Sequence, residues 1–132
     1  DTDILSDAAP LNGLVAALLD SGADVKFMRD PTRGGAATTL NEFAASSRVG
    51  IKLDGSKVPV KPDVAGACEI LGIDPLYVAN EGKLIAVVPE AEADAALYQA
   101  KRGGRNRLAV SKTFSVLTTL SSNPYVSSAV FL

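Results

Sequence analysis

Met28-Arg29-Asp30-Pro31-Thr32-Arg33-Gly34-Gly35 is the stretch from which the rest of the chain is read. It lies between a short strand carried by Val25, Phe27 and Met28 and an apolar-periodic segment, Ala36 to Ala45, so it reads as a strand-to-helix turn. Pro31 fixes its own φ and drives Asp30 toward extended geometry. Gly34 and Gly35 admit close backbone approach and dihedrals that other residues avoid. The first amides of the helix that follows have no intrahelical partner and carry the positive end of its dipole. Two readings stand for this turn. It holds an anion, with Arg33 adding a bidentate contact, or it is a plain connection with an exposed arginine.

Outward from the turn, helices and strands alternate. Upstream, Leu11, Leu14, Val15, Leu18 and Leu19 recur at helical spacing, with Ser6 or Asp7 as the expected cap and Ser21-Gly22 as the stop. Downstream, Ala36, Leu40, Phe43 and Ala44 share one helix face. Val49, Ile51 and Leu53 alternate with polar or small residues, as in a half-buried strand, and Asp54-Gly55 turns it. Asp63 is expected to open a helix over Val64, Ala67, Cys68 and Leu71, and Gly72 to close it. Leu84 to Val88 is an unbroken apolar run, the pattern of a strand buried on both faces. Glu92 to Lys101 is an alanine-rich helix with acids early and bases late, matching its dipole. Beyond Arg102 the texture changes. Gly103-Gly104-Arg105-Asn106-Arg107 is basic and glycine-rich, Val110 to Leu120 has strand propensity, Ser121-Ser122-Asn123-Pro124 is a turn, and Tyr125 to Leu132 is apolar. Such an apolar end is a liability unless it pairs with a sheet or another chain.

The 132 residues fit one domain, and at 47% hydrophobic they can bury a real core. A net charge of −2 argues against a general nucleic-acid binder. No apolar run reaches the ~18 residues of a membrane span, and the first residues carry no basic-then-apolar signal. A single cysteine, Cys68, excludes an internal disulfide and fits a reducing compartment, so a cytoplasmic location is expected. The absence of histidine excludes a Ser-His-Asp triad and a histidine metal site within the chain. No metal-ligand set is expected.

Few residues are left to carry chemistry. Glu81 stands between Asn80 and Gly82 at the mouth of the Leu84 strand, as a general base, a metal ligand or an ordinary turn acid. Lys83 reads as a solvated edge lysine, Cys68 as a buried core thiol, Asp54 and Asp63 as turn and cap residues, and Lys101 to Arg107 as a solvated helix end.

From Ala9 to about Lys101 the chain resembles the carboxyl-terminal domain of the HypE-type carbamoyl dehydratases. These belong to the superfamily of aminoimidazole ribonucleotide (AIR) synthetase, PurM, and selenophosphate synthetase. The resemblance is carried by Ala9-Pro10-Leu11-Asn12, residues 28–35, Thr38-Thr39-Leu40-Asn41-Glu42, Val58-Pro59-Val60, Gly66-Ala67-Cys68-Glu69-Ile70-Leu71-Gly72 and Asp74 through Leu84. It implies an α/β (α+β) domain spanning 1–132, with a mixed β-sheet flanked by helices, like the AIR synthase carboxyl-terminal domain and partly ferredoxin-like. It implies a parent with an amino-terminal domain that forms a homodimer and supplies most of an ATP site. That parent uses ATP to dehydrate a carbamoyl group on its own terminal cysteine to a thiocyanate, the source of cyanide for nickel–iron hydrogenase. The carbamoyl donor is a HypF-like carbamoyltransferase and the acceptor a HypC–HypD complex.

Carried onto this sequence, Arg33, Gly34 and Gly35 would face the nucleotide. Asp30 would cap the turn or reach the Mg²⁺ that accompanies ATP. Glu81 would be the catalytic base, and Asn80 would orient it or the substrate. Residues 103–132 depart from the family pattern, and the cysteine of its Pro-Arg-Ile-Cys tail has no counterpart. The departure fits an altered reading frame near codon 102, which sequencing the source gene through that codon would test. Two rival readings are a selenophosphate or AIR synthetase-like domain, and a non-catalytic module that docks a maturation partner.

Overall fold

The structure, a computed structural model, describes residues 5–103, 110–117 and 127–131, the last two stretches by their backbone. The basic stretch from Gly104 to Arg107 and the Ser121–Pro124 turn lie outside the described residues.

The first helix, α1 (Asn12–Asp20), buries Leu14 and Leu18 and starts after Leu11 without a side-chain cap. Neither expected cap serves. The Ser6 hydroxyl accepts from the Ala8 amide at 3.2 Å, and Asp7 is drawn to Lys83. Leu19 is exposed, because the stripe of α1 that meets the core runs through Leu14 and Leu18, flanked by Leu11 and Val15. Strand β1 (Phe27–Arg29) then leads through the Pro-Thr-Arg-Gly turn into α2 (Gly35–Ser47), and Arg48 in the left-handed region ends that helix. Strand β2 (Gly50–Leu53) and a single 3-10 turn, Gly55–Lys57, follow.

Helix α3 (Pro62–Leu71) ends at Gly72, its left-handed cap, as expected, and has Pro62 in its first turn. Lys61 is its N-cap and Asp63 lies inside the first turn, where a carboxylate suits the dipole. Strand β3 (Ile85–Pro89), α4 (Ala93–Gly103), β4 (Val110–Leu117) and β5 (Ser127–Phe131) complete the order.

The five strands lie in the order β1-β3-β5-β4-β2, and every described ladder is antiparallel. The sheet flanked by helices is as expected, but the described pairings are antiparallel rather than mixed. The cause is the last strand. Strands β3 and β4 run the same way, and the α4 crossover would make them parallel neighbours, yet β5 occupies the slot between them. This split β-α-β arrangement is the ferredoxin-like part of the fold.

Strand β3 organises the core. Its residues Ala86 and Val88, with Leu84 just before the strand, meet Leu14 and Leu18 of α1 and Ala93 and Ala96 of α4. Ile85 and Val87 point the other way, to Ala36 and Leu40 of α2 with Phe27 and Phe43 beside them. Helices therefore cover both faces, and the unbroken apolar run is the consequence. Cys68 is a buried free thiol on α3.

Candidate functional site

Gly34 (φ 70°) and Gly35 (φ 66°) are both left-handed, so the turn read from the sequence exists and needs its glycines. At Gly35 the reason is also steric. A Cβ there would overlap the Leu76 carbonyl oxygen and come within 2.6 Å of that of Val78. The first turn of α2 thus lies directly on the backbone of residues 76–78. Gly34 is the N-cap and offers no side-chain cap, which leaves the leading amides of α2 to other acceptors. Arg33 is exposed and, among the described residues, unpaired. Asp30 is half-buried, and its side chain makes no hydrogen bond among the described residues, so it does not cap the turn.

The second candidate segment is held by its own local bonds. Asp74 accepts from the Leu76 amide at 2.8 Å and starts a 3-10 turn, Pro75–Tyr77. The chain then passes Gly35, and the Asn80 amide donates to the Pro31 carbonyl at 3.0 Å. That bond joins the two motifs that the sequence presents far apart. Arg33 lies two residues from one end of it and Glu81 one residue from the other. Glu81 is exposed, and among the described residues its carboxylate makes no hydrogen bond or ion pair.

Asn80 is engaged at both ends of its side chain. Its Nδ2 donates to the Val78 carbonyl at 2.7 Å, and its Oδ1 accepts from Lys83 Nζ at 2.5 Å. What it orients directly is the backbone that carries Glu81. Lys83 is not the solvated edge lysine the sequence suggests, since its ammonium also donates to Asp7 Oδ2 at 3.0 Å and its side chain is 33% exposed. Gly82 is buried, and a Cβ on it would overlap the Asp7 carbonyl oxygen, so the leading segment crosses this turn at backbone contact. Lys83 and Asp7 escape sequence reading because they are 76 residues apart and no local pattern links them.

Among the described residues no three His, Cys, Asp or Glu side chains gather as metal ligands. No helix among them is long and apolar enough to cross a membrane.

A strand-to-helix glycine turn bonded to an acidic turn, on an α/β domain with an antiparallel sheet, is the frame against which known proteins compare. Residues 2–109 match the family model of AIR synthase related proteins, carboxyl-terminal domain, and the chain belongs to that family. Within it, the likeness is to HypE. The carbamoyl dehydratase HypE of Rhizobium leguminosarum bv. viciae is 61% identical over 98 residues, covering 74% of this chain and 28% of the relative. That of Cupriavidus necator is 57% identical over 103 residues, covering 78% and 29%. The chain thus spans less than a third of the length of these relatives. Among solved structures, a hydrogenase maturation protein HypE in complex with ATP superposes with TM-score 0.75 at 39% identity, covering 98% of this chain and 34% of that one. HypE from a HypE–HypF complex gives 0.74 at 41% identity, covering 98% and 38%.

Proposed function

We propose that this chain is the carboxyl-terminal domain of an ATP-dependent carbamoyl dehydratase that makes thiocyanate for hydrogenase maturation. The observation that carries the reading is the Asn80–Pro31 backbone bond, which sets the anion-accepting turn beside the acidic turn. Likeness to HypE proteins, one of them solved with ATP, supports it.

The residues present suit a nucleotide phosphate. The uncapped start of α2 offers backbone donors, and unpaired Arg33 adds a guanidinium. Half-buried Asp30 is the carboxylate nearest the turn in sequence and the candidate contact to an accompanying Mg²⁺. The remainder of a HypE-length chain supplies the rest of the ATP site and the homodimer contact.

The chemistry asks for two events. ATP phosphorylates the carbamoyl oxygen, which makes it a leaving group. The nitrogen releases one of its two protons to solvent as the oxygen is phosphorylated, and Glu81 takes the second as the phosphate departs and the carbon–nitrogen triple bond forms. The cysteine thioester of carbamic acid thus becomes a thiocyanate, with ADP and phosphate released. Asn80 holds the Glu81 backbone for this step. Cys68 is not the acceptor thiol, because it is buried in α3. The carbamoyl group comes from a HypF-like carbamoyltransferase, and the cyanide leaves to a HypC–HypD complex.

Titration of the 132-residue chain with Mg·ATP, followed by heteronuclear NMR beside an Arg33→Ala variant, tests this. Shifts at Arg33–Gly35 and Glu81 that weaken in the variant are expected. No shift at millimolar ATP would remove this domain from the nucleotide site. Holding only part of the site, the chain alone should hydrolyse no ATP, and measurable turnover by the purified chain would contradict that.

A further inference from the structure

The bond between Lys83 Nζ and Asn80 Oδ1 spans Glu81 and Gly82, and so closes the turn at whose tip Glu81 stands. The base of the same turn is tied by the Asn80 amide to Pro31 and by Asn80 Nδ2 to Val78. The Lys83 ammonium is in turn shared with the Asp7 carboxylate, and the Asp7 backbone presses on Gly82. A lysine has three donors and no acceptor, so one ammonium can grip an amide oxygen and a carboxylate at once. Bonds that involve a charged partner are the stronger kind.

From this geometry we infer that Lys83 is a positioning residue. Acting through Asn80 and anchored by Asp7, it holds the turn backbone from which the Glu81 side chain projects. The inference rests on the proposed role of Glu81 in the reaction, but the clamp itself does not depend on that role. Its value to catalysis is preorganisation: displacing a reacting group by about 1 Å can cost about 10²-fold in rate. Arginine keeps both charge and reach, asparagine at position 7 keeps shape without charge, and methionine keeps only the length of the lysine.

The experiment compares Lys83→Met, Lys83→Arg and Asp7→Asn with the parent chain in two NMR readouts. The first needs no ligand. In Lys83→Met, the Asn80 side-chain amide resonances should move, and backbone amide exchange at Asn80–Gly82 should accelerate about tenfold, the loss of roughly one charged hydrogen bond. Lys83→Arg should stay near the parent, with Asp7→Asn between. Parent-like Asn80 resonances and exchange in Lys83→Met would overturn the clamp. The second readout is the Mg·ATP titration. Lys83→Met should lose the response at Glu81 and keep that at Arg33–Gly35, a split that a purely structural lysine would not produce. An unchanged Glu81 response in Lys83→Met would overturn the positioning role. If the parent itself shows no response, the nucleotide reading fails, and the exchange data alone decide the clamp.

Discussion

Gly35 shows how one residue can serve conformation and contact together. Its left-handed φ disfavours ordinary side chains, and its missing Cβ lets α2 rest on the carbonyls of Leu76 and Val78. Gly72 is equally left-handed, at φ 66°, but a Cβ there meets nothing within 4 Å. The pair separates the two effects. Gly72→Ala should cost about 1 kcal/mol from the dihedral alone. Gly35→Ala adds an overpacking cost against backbone that cannot swing aside, and should lose about 2–5 kcal/mol. Urea midpoints of the two variants check the ordering, and equal losses would refute the close contact. Thr39 makes a second residue-scale case. It is 1% exposed, and among the described residues its hydroxyl makes no hydrogen bond. A buried, unsatisfied hydroxyl is a cost rather than an asset. Thr39→Val, which keeps the β-branched shape, should leave stability unchanged or raise it by up to about 1 kcal/mol, as read by thermal melting. A clear loss would reveal a partner for the hydroxyl.

At the scale of elements, the helices do not contribute equally. α1 sends Leu18 into the core at 1% exposure, whereas α3 ends with Ile70 at 87% and Leu71 at 69%. Leu18→Ala should therefore cost about 2–5 kcal/mol, and Ile70→Ser should stay within about 0.5 kcal/mol of the parent. Chemical denaturation of the two variants gives the comparison directly. The 54–57 turn carries a pH signature. The Ser56 hydroxyl bonded to Asp54 at 2.6 Å, and then Lys57, hold the Asp54 carboxyl below its ordinary range. Because the folded value is the lower one, the gain is present above the unfolded carboxylate pKa of about 3.9 and is lost as pH falls through the folded value. The group is exposed, so the effect is small. Asp54→Asn should sit slightly below the parent at pH 6 and converge with it toward pH 2. A gap that widens in acid would mean the sign is reversed.

Elements of this kind were legible because their signals are local. The apolar run of β3, the Gly72 stop of α3 and the two glycines before α2 each announce themselves within a few residues. The cap of α1 was not legible, because Asp7 has a stronger claim on it from Lys83, a contact made only after folding. Candidate site residues were readable as types, an arginine-glycine turn and an acidic turn. What joins them, the Asn80–Pro31 bond and the Gly35 contact with residues 76–78, depends on tertiary approach.

On the scale of the whole molecule, strand order is the property least visible in the chain. The segment after Gly103 supplies β4 and β5, which lie between β3 and β2 in the sheet. Register explains why this matters. β5 pairs with β3 from Ile85–Phe131 through Pro89–Ser127, along the whole length of the strand that both core clusters share. Removing residues after Gly103 is consequently far from a neutral trimming of an apolar end. It would leave β3 with β1 as its single neighbour and β2 with none, opening a long apolar edge to other chains. The truncated chain should lose its cooperative melt, bind a hydrophobic dye and scatter as dimers or larger species, while the full chain melts in one step. A monomeric 1–103 fragment with a sharp transition would show that the first three strands and their helices make a sufficient core, and that β4 and β5 are an addition to the fold rather than its centre.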